Sequence, residues 1–403
     1  MVAPAARRPF PWLPLVTLSA TSFVAVTGEF LPGGLLPQMA EDLGVSQSRI
    51  GLLVTILAAT IVISAAPLTA VTRRFSRKSL LVATLLTFTV ANLLAAAAPT
   101  YEVLAGARIL SGAAQGLFWS VIGPYTTLLV HRTQIAKGIA VTNFGGTAAF
   151  VLGIPVGTAL GQAFGWRMAF VVLALLVLVL TAIVILRLPQ VTHIERLATG
   201  EISVPVYRDR TIPTVAVTCL TVLLVMMGQN VFTTYIVPWM LEVPGVAEGA
   251  ISPLLFAQGA AGAVGVLLAG RFGDRFPRAS VLIFLCGVIV FVALLGAFGH
   301  VPAVAFVGLL IWPLFFGGIP ALMHARVMAS ASPRIRDQAS AFLTISFNVG
   351  IGGGALLGGI LIDGLGIRTL PWGEVAFLTV AVLFVIGANV YAARSARAAA
   401  PVP

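Results

Sequence analysis

Long apolar runs separated by short polar segments recur along the whole chain. A run of about 20 apolar residues is long enough to cross a hydrocarbon layer of ~30 Å as an α-helix. The pattern predicts twelve such spans and no soluble domain between them. Their predicted bounds are 12–37, 50–72, 79–98, 102–125, 138–161, 167–187, 212–237, 250–271, 279–298, 302–324, 338–362 and 373–393. The chain is therefore predicted to be an all-α membrane protein.

The composition supports this interpretation and excludes an ordinary soluble protein. Hydrophobic residues make up 59% of the 403 residues and charged residues only 9%, whereas soluble domains carry roughly 25% charged residues. The net charge of +11 is compatible with nucleic-acid binding, but the basic residues form no single cluster. They lie at intervals between the apolar runs, as in proteins whose charges set a membrane orientation. We therefore expect a lipid bilayer as partner, and no nucleic acid.

The positions of Lys and Arg predict the orientation in the membrane. If the N-terminus is cytoplasmic, most of the 24 Lys and Arg residues lie on the cytoplasmic side. Only Arg49, Arg167 and Arg368 lie on the other side, and Arg108 lies within a span. One missed helix would reverse every later loop and remove this positive-inside bias. We therefore expect both termini to be cytoplasmic, in the plasma (inner) membrane.

An internal repeat divides the chain into two halves. The loop Arg74 to Ser79 (RFSRKS) recurs as Arg275 to Ser280 (RFPRAS), and Asn143 and its neighbouring glycines match Asn348 and its neighbours. Parallel repeats in transporters form two bundles of the same orientation, with a substrate site near the middle of the membrane. The predicted domains are a six-helix bundle at 1–187, a cytoplasmic loop at 188–211, and a second six-helix bundle with a short tail at 212–403.

One carboxylate lies inside the first apolar run. Glu29 is followed by Phe30 and further apolar residues, so the span is predicted to continue beyond it. Ionisable residues within a span are costly and usually line a polar pathway. The alternative is that the helix ends near Gly28 and leaves Glu29 in water. No second acid is expected at this depth, because Asp363 and Glu374 are predicted near the outer ends of their helices.

A cation, Arg108, lies within the fourth predicted span. With a rise of about 1.5 Å per residue, Glu29 and Arg108 are expected at similar depths in the outer part of the membrane. One face of this helix carries Arg108, Gly112, Gln115 and Trp119, because each follows the previous one by three or four residues. This face offers an amide and an indole to a bound molecule, although aromatic residues at this spacing are also typical of packing. We predict that Gln115 and Trp119 contact substrate.

Four motifs carry a family resemblance. They are Thr27-Gly28-Glu29-Phe30 in the first span, Arg108 with Gly112 and Gln115-Gly116 in the fourth, Gly153 to Gly157 with Gly161 in the fifth, and Gly270, Asp274, Arg275 and Arg278 in the second repeated loop. Over essentially the whole chain they resemble the major facilitator superfamily, in particular its drug–proton antiporter branch and the sugar-efflux (arabinose-efflux-like) permeases. In the first repeated loop, Arg73 stands where this family usually has an acid.

The resemblance implies two pseudo-symmetric six-helix bundles and a secondary transporter, not an enzyme. Such a protein would export a small organic solute, a sugar or an amphipathic drug, by proton antiport with alternating access, as a functional monomer. The family fold places the first and fourth helices side by side, so that Glu29 and Arg108 would form or approach an ion pair. Burial favours a neutral carboxyl and a nearby arginine favours a charged one, so a change of access can change proton binding. A static pair, or an arginine extended to the surface, is the alternative.

Other polar or aromatic residues within the spans are further candidates for substrate binding. They are Gln229, Asn230, Thr233 and Tyr235 in the seventh span, Asn143 and Asn348 at matching repeat positions, and Trp312 in the tenth span. An unsatisfied amide in hydrocarbon costs several kcal/mol, so hydrogen bonding between helices is an equally good interpretation for the seventh span. A structural role is slightly favoured for the two asparagines.

The remaining motif residues are assigned to gating and packing. The predicted gating set is Arg74, Arg77, Gly270, Asp274, Arg275 and Arg278. The predicted packing set is Gly153, Pro155, Gly157, Gly161 and Gly358, because small residues let helices approach closely.

No metal or cofactor is expected, because the histidines and cysteines form no ligand cluster and no nucleotide-binding pattern is found. The fold alone does not fix the direction of transport, so a proton-coupled uptake symporter remains the first alternative. A membrane sensor or membrane enzyme is the second alternative. The lack of a catalytic constellation and of a soluble domain counts against it.

Overall fold

The computed structural model describes residues 10–190, 209, 211–332 and 334–398, which are helical and contain no β-strand. The helices are α1 (Trp12–Gly34), α2 (Leu36–Leu43), α3 (Gln47–Val71), α4 (Arg77–Ala96), α5 (Tyr101–Leu129), α6 (Ile135–Ala148), α7 (Ile154–Phe164), α8 (Trp166–Arg187), α9 (Ile212–Thr233), α10 (Ile236–Glu242), α11 (Glu248–Arg275), α12 (Pro277–Phe298), α13 (Pro302–Gly317), α14 (Ile319–Ser330), α15 (Arg336–Leu365) and α16 (Leu370–Ala398). Short 3₁₀ turns lie at Arg132–Gln134 and Ile367–Thr369, and a π-helical turn at Ala149–Gly153.

Eleven segments of the described residues are long and apolar enough to cross a membrane. The predicted fourth span is not among them, although α5 has 29 residues. This helix carries Arg108 and Gln115 among many small residues, so it is less apolar than the others. Together with α5, these segments correspond to the predicted twelve spans. The predicted all-α membrane fold is confirmed.

The first and seventh predicted spans each consist of a long helix followed by a short one. Helix α1 ends at Gly34, Leu35 leaves the helical conformation, and α2 begins with Pro37 in its first turn. Helix α9 ends in the same way before Tyr235, and α10 carries Pro238 in its first turn. Proline is tolerated there because the first turn has no intrahelical acceptor for its missing N–H. The same break in both halves agrees with the internal repeat.

Contacts group the chain into two compact units, residues 1–31 with 60–196, and residues 32–59 with 197–403. Two side-chain contacts illustrate why residues 32–59 join the second unit. Thr55 Oγ1 donates to the carbonyl of Gly352 at 2.8 Å, and Ser48 donates to the carboxylate of Asp363. Most of the predicted loop at 188–211 lies outside the described residues, and the predicted domain bounds stay a prediction.

In the first unit, glycines of the fifth span pack directly on α1. A Cβ at Gly145 would overlap the backbone carbonyl of Ser19, and a Cβ at Gly153 would overlap the hydroxyl of Thr27. Gly157 faces the same helix one turn further on. Pro155 lacks an N–H, and it lies in the first turn of α7, just after the π-helical turn. These contacts agree with the packing role predicted for Gly153 and Gly157.

In the second unit, the glycines of α15 pack in the same manner on α9. A Cβ at Gly358 would lie 2.6 Å from the carbonyl oxygen of Val231, and one at Gly354 would overlap the backbone of Met227. These positions leave no room for larger side chains, as small-residue packing between membrane helices requires.

A polar cluster joins the start of α9 to the end of α14. The carboxylate of Asp209 accepts hydrogen bonds from the hydroxyl of Ser332 at 2.6 Å and from the hydroxyl and backbone N–H of Thr211 at 2.6 and 2.8 Å. These bonds stabilise the charged form, so they lower the pKa of Asp209 below its ordinary value.

We expect Asp209→Asn to lower the melting temperature of the purified protein at neutral pH. Because the pKa is lowered in the folded state, the stabilisation is present above the ordinary value of about 3.9 and is lost as the pH falls through the folded-state pKa. Melting curves recorded from neutral to acid pH should therefore converge for the two proteins. A difference that persists unchanged at acid pH would contradict this role of the carboxylate.

Candidate functional site

Glu29 is buried in the first unit. Its side chain is 8% exposed, and its Oε2 accepts a hydrogen bond from Gln115 Nε2 at 2.8 Å. Helix α1 continues past it to Gly34. The prediction that this acid lies inside the helix is therefore confirmed, and the alternative in which the helix ends near Gly28 is wrong.

Arg108 is a buried cation on α5, with 3% exposure. Its Nη1 donates to the carbonyl of Gly28 at 2.8 Å, and its guanidinium lies 5.2 Å from the centre of the Phe170 ring. Its Nε and Nη2 have no hydrogen-bond partner among the described residues. The arginine is thus held by the backbone next to Glu29 and by an aromatic face on α8, and two of its nitrogen atoms have no hydrogen-bond partner among the described residues.

Glu29 and Arg108 are neighbours, as the family resemblance implies, but they are not directly paired. In the described part of the chain no hydrogen bond or ion pair joins them. Gln115, two helical turns from Arg108, holds the acid instead, while the carbonyl of Gly28 holds the guanidinium. The two groups therefore approach each other without forming the ion pair, and each has another partner.

This arrangement allows proton binding to be linked to helix packing. Burial of a carboxylate favours its neutral form, and a nearby arginine favours its charged form. Loss of the negative charge on Glu29 would leave the cation of Arg108 buried without compensation, which is costly. A change in the protonation of Glu29 would therefore change the stability of the contact between α1 and α5.

The rest of the predicted stripe on α5 is packed against protein. Gly112 is buried, and Gly116 approaches α3 so closely that a Cβ would lie 3.2 Å from the backbone of Ala65. Trp119 is half-buried, and its ring meets Phe118 edge to face at 5.2 Å. Substrate contact by Gln115 and Trp119 stays a prediction.

The candidates on α9 make mainly local hydrogen bonds. Gln229 Nε2 donates to the hydroxyl of Thr233 at 2.8 Å, and Gln229 Oε1 is buried without a partner among the described residues. Asn230 Nδ2 donates to the carbonyl of Met226 within the helix at 2.9 Å. Gln229 therefore retains an unused acceptor, which keeps it a candidate for substrate binding.

Tyr235 makes a hydrogen bond between distant helical segments, which is one of the two roles predicted for it. Its side chain is 0% exposed, and its hydroxyl donates to the carbonyl of Ala355 at 2.8 Å. The ring lies against Gly51, Gly358 and Gly359, where any Cβ would collide with it. These contacts agree with a hydrogen-bonding role between helices, and substrate contact by Tyr235 stays a prediction.

The two asparagines at matching repeat positions differ in environment. Asn143 is exposed, whereas Asn348 is buried and donates from Nδ2 to the carbonyl of Thr344 within α15 at 2.9 Å. Their predicted roles in substrate binding stay predictions.

The repeated loops share one local contact. The guanidinium of Arg74 lies 5.2 Å from the ring of Phe75, and that of Arg275 lies 5.4 Å from the ring of Phe276. For the other residues of the predicted gating set, the structure gives the exposure of some residues. Arg77 is half-buried, Gly270 is exposed, and the side chains of Asp274 and Arg278 lie outside the described residues.

Glu374, which is predicted near the outer end of its helix, is a second buried acid. It is 0% exposed, and its Oε1 accepts a hydrogen bond from the indole Nε1 of Trp312 at 3.1 Å. Its Oε2 is buried without a hydrogen-bond partner among the described residues. Although Glu374 lies in the first turns of α16, the packing of α9 and α13 covers it. The indole N–H of Trp312, a predicted substrate contact, is therefore hydrogen-bonded to this acid.

Comparison with known proteins gives a consistent result. A family model described as Major Facilitator Superfamily matches residues 18–214 and 218–401. A protein named chloramphenicol efflux pump from Mycobacterium tuberculosis is 32% identical over 372 residues, which cover 88% of each chain. A probable sugar efflux transporter from Mannheimia succiniciproducens is 28% identical over 362 residues, which cover 89% of each chain.

Solved structures show the same fold. A bacterial homologue of the human lysosomal transporter Spinster, crystallised in an inward-facing and occupied conformation, superposes with a TM-score of 0.76. The match covers 95% of this chain and 97% of the other, with 16% sequence identity. At this identity the likeness concerns the fold alone.

Proposed function

Because this chain belongs to the major facilitator superfamily, it is a multi-pass membrane transporter and not an enzyme, and we propose that it exports a small organic solute in exchange for protons. The observation that carries the proposal is the buried carboxyl of Glu29 inside α1, bonded by Gln115 and close to Arg108. The relatives described above support export, since they are named as efflux proteins.

In the proposed cycle, Glu29 binds a proton on the outer side and releases it to the cytoplasm. Arg108 favours the charged acid and burial favours the neutral acid, so a change of access alters the balance between the two forms. The solute binds to the deprotonated state and leaves as the next proton arrives. Alternating access therefore couples inward proton movement to outward solute movement.

The proposed cargo is a neutral amphipathic drug, with chloramphenicol as the first probe and a sugar such as arabinose as the second. Both have hydroxyl groups that an amide can bind, and an aromatic drug can stack on an indole. The proposed contacts in the first unit are Gln115 and Trp119. The proposed contacts in the second unit are Gln229, Asn230 and Trp312. The transporter is further proposed to act as a monomer in the plasma membrane, with both termini in the cytoplasm.

Everted membrane vesicles from cells that express the protein test the proposal. With an acidic lumen, radiolabelled chloramphenicol is expected to accumulate inside, and a protonophore should abolish the accumulation. Vesicles from cells without the protein serve as the control.

Accumulation in right-side-out vesicles, driven by an inward proton gradient, would instead show an uptake symporter. If neither probe responds to a pH gradient in either orientation, proton antiport of this class of solute is contradicted.

A further inference from the structure

Among the described residues, each unit holds one buried acid that accepts a hydrogen bond from the fourth span of its half of the chain. In the first unit Gln115 on α5 donates to Glu29, and in the second Trp312 on α13 donates to Glu374. We propose that Glu374, bonded by Trp312, is a second proton site of the transporter. This inference rests on the proton antiport proposed above and adds a second proton-carrying residue to it.

The helices around Glu374 provide no counter-charge. The sequence contains no Asp, Glu, Lys or Arg in residues 212–233, 279–298 or 302–317, which form nearly all of α9, α12 and α13. On α15 and the turn before α16, the charged residues near this end are Asp363 and Arg368, which are exposed. Glu374 therefore differs from Glu29, which has an arginine close by.

Other titratable groups on the surrounding helices lie far from this acid. Gly228 of α9 contacts the backbone of Glu374, and Cys219 is nine residues away on that helix, about 13 Å along its axis. Cys286 is ten residues, about 15 Å, from the part of α12 that contacts α16. His300, beyond the end of α12, is exposed.

The neutral, protonated acid is the form that fits this environment. A carboxylate buried without a cation costs several kcal/mol more than a neutral acid. The single N–H of Trp312 satisfies one oxygen only, and the other oxygen has no partner among the described residues. A buried polar atom without a hydrogen bond costs about 1–3 kcal/mol. Packing alone does not explain an acid at this position.

The location relates Glu374 to the first proton site. Gly28-Glu29 near the end of α1 matches Gly228-Gln229 near the end of α9, shortly before the same helical break in each half. The position equivalent to Glu29 is thus an amide, and the acid of this unit is carried by the adjacent α16. A Cβ at Gly228 would lie 3.1 Å from the carbonyl oxygen of Glu374.

The chemical step is a proton transfer without any other reactant. Release moves the proton from the carboxyl of Glu374 to water, and the bonding electron pair remains on the carboxylate. Uptake from water on the opposite side restores the neutral acid. Each export cycle would then move one proton more than Glu29 alone can carry.

Infrared spectroscopy of the purified protein tests whether Glu374 holds a proton. At neutral pH, Glu374→Gln is expected to lose a carbonyl stretching band of a protonated carboxyl that persists in Glu41→Gln, a matched change at an exposed acid. Trp312→Phe keeps the acid but removes its hydrogen bond, so it should shift this band. It is the second test variant if Glu374→Gln is unstable. An unchanged band in both Glu374→Gln and Trp312→Phe would overturn the proposal.

Proton counting in liposomes tests the transport role. With chloramphenicol as probe, Glu374→Gln is expected to move one proton fewer per exported molecule than the unsubstituted protein. If the unsubstituted protein moves chloramphenicol without protons, antiport and the role of Glu374 fail together. If antiport is intact and the proton count of Glu374→Gln is unchanged, the role of Glu374 alone is overturned.

Discussion

Replacement of Glu29 by Gln is expected to abolish chloramphenicol accumulation driven by a pH gradient, while downhill exchange of the drug continues. The amide has the shape of the acid, and its oxygen can still accept the hydrogen bond from Gln115. It cannot bind and release a proton, so a proton gradient no longer does work on the drug. Accumulation in everted vesicles should fall to the level of vesicles without the protein.

Glu41→Gln is the matched control for this change. It removes a carboxylate of the same kind from an exposed position on α2, only a short distance along the chain. Its accumulation should equal that of the unsubstituted protein. Uphill transport that survives in Glu29→Gln would remove Glu29 from the coupling mechanism.

Among the proposed substitutions, Gly145→Ala is expected to cause the largest loss of stability. The new Cβ would overlap the carbonyl oxygen of Ser19 and lie 3.0 Å from the backbone nitrogen of Phe23. These are backbone atoms of α1 that cannot rotate away, so α1 and α6 would have to separate. Overpacking of this kind costs about 3 kcal/mol. Thermal denaturation of the purified protein in detergent should show a clearly lower midpoint.

Gly106→Ala is the corresponding control. Gly106 lies inside α5, and a Cβ there would meet no atom within 4 Å. Because alanine favours a helix over glycine by roughly 0.5–1 kcal/mol, this variant should be as stable as the unsubstituted protein or slightly more so. Equal midpoints for Gly145→Ala and Gly106→Ala would contradict the close contact between α1 and α6.

The spans could be predicted from the sequence because an apolar run of sufficient length is a local property. The span in α5 is predicted as well, because Arg108 and Gln115 lie in a run of mostly apolar or small residues. The proximity of Glu29 and Arg108 is also predictable, because the helical rise gives their similar depths and the family resemblance implies that the first and fourth helices are adjacent. The hydrogen-bond partners of the two groups could not be predicted, because the guanidinium contacts the carbonyl of Gly28 and the ring of Phe170.

Two features depend on packing between distant segments and could not be predicted from the sequence. Glu374 lies near a helix end, as its position in the sequence predicts, but helices from elsewhere in the chain cover it. For Tyr235 the sequence leaves substrate contact and hydrogen bonding between helices equally open. In the structure its ring fills the space left by Gly51 and Gly358, which are far away in the sequence.

The central claim is that Glu29 exchanges a proton during each export cycle. Liposomes that contain the purified protein and a pH-sensitive dye, with no imposed pH gradient, test it directly when a chloramphenicol gradient is applied. We expect protons to move against the direction of the drug, and this proton movement to vanish in Glu29→Gln while the drug continues to move. Drug movement without protons in the unsubstituted protein, or an undiminished proton flux in Glu29→Gln, would contradict the claim.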